Sequence, residues 1–218
     1  MKRTEKRALV TGKISVTAAI TFAVICGVAG SLILLIWVNL ITLLIGLWAL
    51  FFYVVVYGYA KRESSYGTEV GSLPGAASIV AGYTAVTAHI GPAAIILFLT
   101  MIFWQMPHFF SIAIFRAKDY AAANIPVLPL KRGVSETKLR ILGYTFLFAV
   151  TSLSLYFYGY ASITYVAVMG IMSLYWLFVG LRGLNTPNPE KWARKMFGVS
   201  LLVLLAYSLV LSLDHWLP

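Results

Sequence analysis

The stretch FWQMPHFFSIAIFRAKDY, from Phe103 to Tyr120, is a long apolar run that ends in a charged cluster. Its apolar residues are continuous enough to lie in lipid, rather than being confined to one side of a helix. Two polar side chains, Gln105 and His108, nevertheless fall inside the apolar part. Polar groups within a bilayer are costly and commonly line a cavity or join helices. The stretch therefore predicts a membrane-spanning helix that reaches a polar site at one end.

The composition of the whole chain indicates the same class of protein. Of its 218 residues, 61% are hydrophobic and 11% are charged, whereas soluble domains carry about 25% charged residues. We therefore predict an all-α polytopic transmembrane helix bundle, formed by a single domain over residues 1–218. One apolar run is rich in Gly and Ala, and we expect it to be an interior helix, since small residues let helices approach closely. Runs long enough to cross a bilayer predict about seven spans, near residues 14–36, 41–60, 71–88 (the Gly- and Ala-rich run), 93–115, 141–158, 162–181 and 197–213.

The basic residues distinguish the two sides of this bundle. All 17 Lys and Arg residues lie in segments that a seven-span pattern puts on one side, namely the N-terminus and the loops near 61–70, 116–140 and 182–196. Cytoplasmic loops carry such an excess of Lys and Arg, so we predict a cytoplasmic N-terminus and an external C-terminus. This bias explains the net charge of +10, and we expect no nucleic-acid partner. Because the longer polar loops lie on this side, we expect any chemistry at the cytoplasmic mouth.

If the helix of the opening stretch continues to its charged end, several polar residues share one face. His108 and Asp119 are 11 residues apart, which is close to a whole number of helical turns. Gln105 precedes His108 by one turn. Such a stripe is typical of a site that runs from mid-membrane to the cytoplasmic rim. Gln105 and His108 can also serve only as contacts between helices, and the residues alone do not decide between these interpretations.

The loops supply a second set of candidates, which are charged. Asp119 is the only acidic residue between Glu69 and Glu136, and it lies among basic residues that include Arg116 and Lys118. A carboxylate in this setting is either an ion-paired structural residue or a ligand of Mg²⁺, which takes one or two carboxylates together with phosphate oxygens. Two basic pairs are open to interpretation as anion-binding residues or as flanking residues that anchor and orient the helices: Lys61 with Arg62, and Arg3 with Arg7.

These residues resemble a known family over essentially the whole chain. The segment WQMPHFFSIAIFRAKDYAAANIPVLPLKRG, residues 104–133, closely resembles the signature of the protohaem IX farnesyltransferases (haem O synthases), which are UbiA-type intramembrane prenyltransferases. KRESSYGTEVGSLPGAA, residues 61–77, resembles the loop and helix that precede this signature in the family. LRGLNTPNPEKWARKMFGVSLL, residues 181–202, is similar to the family's C-terminal part. MKRTEKRALVTGKIS, residues 1–15, resembles the segment that follows the family's first aspartate-rich motif.

The resemblance implies a fold, a reaction and its substrates. The family fold has nine helices around a central cavity, and this chain is expected to be a UbiA-type domain that lacks the first two. The implied reaction transfers the farnesyl group of farnesyl diphosphate to a vinyl group of haem B, a substrate rather than a cofactor, to make haem O for haem–copper oxidase biogenesis. The implied cofactor is Mg²⁺. The implied location is the lipid bilayer of the bacterial cell (inner) membrane, where haem A synthase and oxidase assembly factors are candidate partners.

The resemblance also implies roles for individual residues. Asp119 and Tyr120 fall in the family's second polar motif, and with Lys61 and Arg62 they are the catalytic candidates. Asp119 is also the expected metal ligand. The substrate-binding candidates form two groups. Basic residues are placed to contact the diphosphate: Arg3, Arg7, Arg116 and Lys118. The tryptophan–proline–histidine segment supplies Trp104, Gln105 and His108, of which Trp104 and His108 are expected to face the haem.

The chain departs from the family pattern in ways that bear on activity. The first aspartate-rich motif is absent, so most metal-binding carboxylates are lacking, and we expect the 218-residue polypeptide alone to be weakly active or inactive. Glu69 stands where the family usually has an aliphatic residue. Two other functions stay open at this point. One is another UbiA-type prenyltransferase that acts on a quinone or chlorophyll precursor, and the other is a small membrane transporter, for which a buried polar stripe is also suitable.

Overall fold

The computed structural model describes residues 4–216, and within that range the chain forms helices and no strands. This confirms the predicted all-α class. Two short helices, α5 (Ala117–Ala121) and α6 (Leu128–Lys131), lie in the loop between two longer ones, and a 3₁₀ turn at Asp214–Trp216 follows the last helix. The long helices are α1 (Val16–Val38), α2 (Leu40–Glu63), α3 (Gly67–Thr87), α4 (Pro92–Phe115), α7 (Gly133–Phe157), α8 (Ile163–Leu181) and α9 (Pro189–Leu213).

Six of these helices are long and apolar enough to cross a membrane, and the chain is an integral multi-pass membrane protein. The exception among the long helices is α3, the Gly- and Ala-rich run that was expected to be an interior helix. It packs against both α2 and α4, and its buried residues run from Gly67 to Thr84. The described residues therefore contain seven long helices, as predicted, although only six meet the hydropathy of a span.

Two helices begin earlier than the apolar runs predict. α7 starts at Gly133 instead of residue 141, and α9 starts at Pro189 instead of residue 197. The first turns of both helices carry charged residues, so a search for apolar runs cannot detect them. α9 has a conventional start, with Pro189 in the first turn and the Asn188 side chain accepting a hydrogen bond from the Lys191 backbone N–H at 3.0 Å.

Contacts between helix ends show how the bundle is ordered. At one end, the Asn39 amide before α2 donates to the Thr84 carbonyl near the end of α3, at 2.8 Å. At the other end, Arg140 near the start of α7 pairs with Glu69 near the start of α3, at 3.0 Å. The long helices thus alternate in direction along the chain. One end of the bundle, which we call the basic end, therefore contains the end of α2 with Lys61 and Arg62. It also contains the segments 116–132 and 182–188.

The opposite end is joined by a capping interaction between distant residues. Asp214, which follows α9, accepts hydrogen bonds from the Ser162 backbone N–H at 3.0 Å and from the Ser162 hydroxyl at 2.7 Å. Ser162 in turn accepts a hydrogen bond from the Tyr165 backbone N–H at 3.3 Å and caps α8. A carboxylate at a helix N-terminus is favourable. We call this pair of residues the Asp214–Ser162 latch.

The hydrophobic core lies between α4, α7, α8 and α9. Large side chains fill it, and the biggest of them are fully buried: Phe148, Tyr165, Trp176 and Tyr207. The first two helices contribute little. α1 has no buried residue, and its Leu34–Val38 end is π-helical. The well-packed half of the bundle thus supports one side of α4, while the other side faces α3 and the site described next.

Candidate active site

A cavity of about 730 Å³ opens between α2, α3 and α4 near the basic end. We call it the first cavity. Its polar lining consists of Tyr53, Tyr57, Lys61, Ser64, Ser65, Thr68, Gln105 and Tyr120. The rest is apolar or glycine: Ala49, Leu50, Gly67, Gly71, Pro74, Gly75, Phe109, Ala113, Ile125, Pro126 and Val127. The cavity therefore combines a long apolar wall with a few hydroxyls, one amide and one amine, which is the usual make-up of a small-molecule site.

One face of α2 supplies the aromatic and basic wall of this cavity. Tyr53, Tyr57 and Lys61 follow one another at intervals of four residues, so they lie on one side of the helix. The Tyr53 and Tyr57 ring centroids are 5.4 Å apart, and the Lys61 Nζ lies 5.4 Å from the Tyr57 ring centroid. The segment Phe52–Tyr57 is π-helical, a local widening of the helix that often occurs at functional sites.

Glycines on α3 make room for the side chains that face the cavity. A Cβ atom added to Gly71 would lie 2.7 Å from the Tyr57 ring, and one added to Gly75 would overlap the Gln105 side chain. Both positions therefore need glycine in this arrangement, because a larger side chain would displace a residue of the cavity wall. The expectation that small residues on this helix permit close packing is confirmed.

Gln105 both joins helices and faces the cavity. Its Nε2 donates hydrogen bonds to the Ser72 carbonyl of α3 at 3.2 Å and to the Met101 carbonyl at 3.1 Å. It also lines the first cavity. The two interpretations of this residue are thus compatible, and its contact with a substrate stays a prediction.

Trp104 and His108 lie on another side of α4. The Trp104 indole N–H donates to the Ser200 carbonyl of α9 at 2.9 Å, and the His108 Nδ1 is 2.8 Å from the Ser200 hydroxyl. The two rings stack with their centroids 4.8 Å apart, and His108 also contacts the Phe197 ring at 4.7 Å. Neither residue lines the first cavity. The structure therefore does not put Gln105 and His108 on one face, and a haem-facing role for Trp104 and His108 stays a prediction.

The charged end of the opening stretch is also arranged differently from the predicted continuous helix. α4 ends at Phe115, because Arg116 leaves the helical conformation (φ −110°, ψ 14°), and α5 starts at Ala117. Asp119 therefore does not continue the face of His108. Its Oδ2 instead lies 3.5 Å from the Arg116 Nη1, in a partly exposed ion pair. Such a pair is one of the two interpretations that the sequence left open for Asp119.

The remaining predicted residues divide into those near the cavity and those apart from it. Tyr120 and Lys61 line the first cavity, and Arg62 lines a second cavity of about 650 Å³ that adjoins it. Arg116, Lys118 and Asp119 precede Tyr120 in the chain and line neither cavity. Arg7 is exposed and also lines neither. Arg3 lies outside the described residues.

The electrostatics of the mouth favour an anionic ligand. Lys61 and Arg62 line the cavities, and Arg116 and Lys118 lie within four residues of the cavity-lining Tyr120 in the chain. Within residues 4–216, no Asp or Glu lines either cavity, and no three His, Cys, Asp or Glu side chains are grouped as a metal site. The described residues therefore do not by themselves form the Mg²⁺ site expected around Asp119. Clefts lined by charges of one sign concentrate ligands of the opposite sign.

An ion-pair network fixes the loop at the edge of the first cavity. Arg140 binds Glu69 at 3.0 Å and Glu136 at 2.8 Å, and its guanidinium lies 5.6 Å from the centroid of the Tyr66 ring. Burial raises the pKa of the Glu69 carboxyl, although the neighbouring Arg140 opposes that shift. This network joins the start of α3 to α7, beside the cavity-lining loop residues Ser64 and Ser65. The pairing of Glu69 with Arg140 could not be predicted from the sequence, because these residues are 71 positions apart.

The sequence reasoning missed the two tyrosines and the two glycines of the cavity wall. Tyr53 and Tyr57 precede Lys61 at four-residue intervals, and Gly71 precedes Gly75 by four. A spacing of four residues places side chains on one face of a helix. A search for aromatic residues at this spacing before a basic residue would have found the two tyrosines, and a search for small residues at this spacing would have found the two glycines.

Comparison with known proteins extends over the whole chain. The sequence pattern of the UbiA prenyltransferase family matches residues 1–208. A protein of Protochlamydia amoebophila named protoheme IX farnesyltransferase is 46% identical over 98% of this chain and 76% of its own length. Proteins of the same name from Citrobacter koseri and Shigella flexneri are 43% and 44% identical over 100% of this chain and 74% of their own length. This chain thus spans about three quarters of these relatives.

A solved structure has the same fold. It is a digeranylgeranylglyceryl phosphate synthase, which is 19% identical in sequence and superposes with a TM-score of 0.81. The match covers 98% of this chain and 76% of the other.

Proposed function

The chain belongs to the UbiA prenyltransferase family, and on this basis we propose that it transfers the farnesyl group of farnesyl diphosphate to a vinyl group of protohaem IX. The product of this reaction is haem O, which serves haem–copper oxidase biogenesis. The observation that carries the proposal is the 43–46% identity, over 98–100% of this chain, to proteins that share the name protoheme IX farnesyltransferase. The first cavity supports it, because it offers cationic and hydroxyl groups at one end and an apolar wall beyond them.

The polar end of the first cavity suits the diphosphate of the donor. The Lys61 amine supplies positive charge there, and the hydroxyls of Tyr57 and Tyr120 supply hydrogen-bond donors. As the bond between C1 of the farnesyl group and the diphosphate oxygen breaks, negative charge accumulates on the leaving group. Fixed positive charge and donors at that position stabilise the transition state. Lys61 is therefore the residue from which we expect the largest contribution.

The apolar wall suits the farnesyl chain and the cation that forms on it. Leu50, Phe109 and Val127 line the wall, and the ring faces of Tyr53 and Phe109 can stabilise a carbocation as they do other cations. A vinyl carbon of the haem then bonds to C1 of the farnesyl group. Water adds to the resulting cation and loses a proton, which completes the hydroxyethylfarnesyl group. Exclusion of water before that step prevents loss of the farnesyl cation.

UbiA-type prenyltransferases generally use a divalent metal, and we propose Mg²⁺ with Asp119 as one ligand. Mg²⁺ takes few protein carboxylates and completes its coordination with phosphate oxygens and water, and when bound it would neutralise the leaving diphosphate. Among the described residues, Asp119 is paired with Arg116, and Glu69 at the cavity edge is paired with Arg140, so they do not fit a complete site. No step of the mechanism above depends on the metal.

We propose that the protein resides in the bacterial inner membrane with its basic end in the cytoplasm. The supporting observations are the bacterial relatives and the concentration of Lys and Arg at one end of the bundle. In this orientation the first cavity receives farnesyl diphosphate from the cytoplasm. Haem A synthase and oxidase assembly factors are the candidate protein partners, since they would receive the product.

The test is product formation by the purified chain in a bilayer. The chain is incubated with haem B, farnesyl diphosphate and Mg²⁺, and the haem is analysed by chromatography and mass spectrometry. We expect at least slow formation of a product that is heavier by one farnesyl group and one hydroxyl group. A parallel reaction replaces haem B with 4-hydroxybenzoate, a quinone precursor. Prenylation of this acceptor without modification of haem would contradict the proposal and favour the alternative UbiA-type activity, and no prenylation in either reaction would contradict any transferase activity of this chain.

A further inference from the structure

The second cavity is separated from the first by a shared wall. It has a volume of about 650 Å³ and lies between α2 and the loop that follows α5. Both cavities are lined by Tyr53, Tyr57, Lys61 and Ile125, whereas only the second is lined by Arg62 and Asn124. Two ligands bound in these cavities would therefore meet across the side chains of Tyr53, Tyr57 and Lys61.

Adjacent basic residues serve the two cavities differently. Lys61 lines both, so its amine is available to a ligand of the first cavity, while Arg62 lines only the second. The ion pairs found in residues 4–216 join Arg116 to Asp119 and Arg140 to two glutamates, and none involves Lys61 or Arg62. Because no acidic residue of that range lines either cavity, Arg62 is available to an anionic ligand.

The form of this second site suits a carboxylate. An arginine guanidinium presents two parallel N–H groups that match the two oxygens of a carboxylate. Asn124 adds a side-chain amide on the opposite wall. Its backbone is held in the left-handed region, at φ 53°, by a turn in which its N–H donates to the Ala121 carbonyl at 3.0 Å. This conformation is tolerated by asparagine more readily than by most residues, and the turn holds the Asn124 backbone beside the second cavity.

We propose that the second cavity binds the propionate carboxylates of the tetrapyrrole acceptor, with Arg62 as their ion-pair partner. This inference rests on the proposed function, and it assigns Arg62 to the acceptor rather than to the diphosphate. Protohaem carries its two propionates on one edge and its vinyl groups on other positions of the ring. With the propionates held at the charged rim by Arg62, the vinyl-bearing part of the ring extends toward the shared aromatic wall of Tyr53 and Tyr57. The reacting vinyl group then lies next to the donor in the first cavity.

The experiment measures haem binding by the full chain in detergent or in bilayer discs made of zwitterionic lipid. Haem B and its dimethyl ester, in which both propionates are esterified, are titrated separately and followed by the Soret absorbance. Binding is compared between the wild type, Arg62→Gln, Arg62→Lys and Arg182→Gln. Arg182 lies in another loop of the basic end, is exposed and lines neither cavity, so it is the matched control.

For the wild type we expect the ester to bind about tenfold more weakly than haem B, a loss of about 1.4 kcal/mol. Arg62→Gln should bind haem B more weakly than the wild type by a similar factor, and it should bind haem B and the ester equally. Arg62→Lys should recover part of the discrimination, and Arg182→Gln should behave as the wild type. The wild-type comparison of acid and ester does not depend on any variant, so a folding defect in Arg62→Gln cannot mimic the expected result.

Three outcomes would overturn the inference. One is equal binding of acid and ester by the wild type, and another is unchanged discrimination in Arg62→Gln. The third is a loss of haem affinity in Arg62→Gln that occurs only in discs containing an anionic lipid. That result would assign Arg62 to a lipid headgroup. In each of these cases continued formation of farnesylated haem by the wild type would leave the proposed function intact. Absence of any haem binding by the wild type would contradict both.

Discussion

On one side of α4 the bundle is filled with large side chains, and on the other side it contains a cavity of about 730 Å³. The packed side comprises α7, α8 and α9, with fully buried Phe148, Trp176 and Tyr207. The cavity side comprises α2 and α3, where Gly71 and Gly75 give way to the side chains of the cavity wall. Protein interiors are normally close-packed, so the unfilled side needs a ligand or lipid to occupy it. The contrast indicates that stability resides mainly on one side of α4 and binding on the other.

The largest expected effect is on stability, from Trp104→Ala on the packed side. Trp104 is buried and its indole N–H donates to the Ser200 carbonyl, so the substitution leaves a void and removes a hydrogen bond between α4 and α9. We expect a loss of about 3–5 kcal/mol in unfolding free energy, measured by denaturant or thermal unfolding in detergent. Phe109→Ala, which removes an exposed ring from the first cavity, should cost less than about 1 kcal/mol. Loss of haem binding by Trp104→Ala at unchanged stability would instead favour the haem-facing role.

Next in size is the effect of Lys61→Gln on the cavity side, and it should appear in activity alone. Removing a fixed charge from the site of the leaving group should slow farnesyl transfer roughly 100-fold. Unfolding should be unchanged, since Lys61 has no ion-pair partner in the described part of the chain. Transfer rates are compared with Lys195→Gln, an exposed lysine of α9, which should keep wild-type activity. A destabilised but catalytically normal Lys61→Gln would remove the distinction between the two sides.

A smaller effect, on both stability and binding, is expected from Gly75→Ala. The added Cβ overlaps Gln105, and such overpacking typically costs about 1–3 kcal/mol. Displacement of Gln105 should also weaken binding of a farnesyl diphosphate analogue, which calorimetry can measure. Gly82→Ala lies in the same helix with no atom near the new Cβ, and it should be neutral or slightly stabilising because alanine favours helix. Equal behaviour of the two variants would show that the cavity wall adapts freely.

The smallest expected effect concerns one hydroxyl of the packed side. Ser200→Ala removes the hydrogen-bond partner of His108, and we expect a loss of about 1 kcal/mol in unfolding free energy, as is typical of such bonds. Ser173→Ala is the control, because the Ser173 hydroxyl is buried and has no hydrogen-bond partner among the described residues. This control should lose no stability. A comparable loss in both variants would mean that packing, rather than the hydrogen bond, fixes His108.

The helices could be predicted from the sequence, because length and hydropathy act locally. The predicted run 93–115 differs by one residue from the observed Pro92–Phe115, and even the weakly apolar α3 was located. The predicted helical stripe from His108 to Asp119 was wrong, since it assumed a continuous helix through Arg116, where the backbone turns. A change of conformation at a single residue has no signal in the spacing of apolar residues.

The site could be predicted only where its residues are close together in the chain. Lys61, Arg62 and Tyr120 were selected through the family resemblance of the short segments that contain them, and they line the two cavities. The partners of Trp104 and His108 on α9 are 96 and 92 residues away, and that pairing depends on how the helices pack. The roles of these residues in catalysis stay predictions.

The Asp214–Ser162 latch has a consequence for the order in which the protein assembles. A polypeptide leaves the ribosome from its N-terminus, and the two residues of the latch are 52 positions apart. α8 therefore enters the membrane before the carboxylate that caps its first turn has been synthesised. Until then Ser162 has no access to this partner. Translation of the last helix is consequently the event that closes this end of the bundle, and a nascent chain halted before residue 214 should remain more accessible to proteases at α8 than the finished protein.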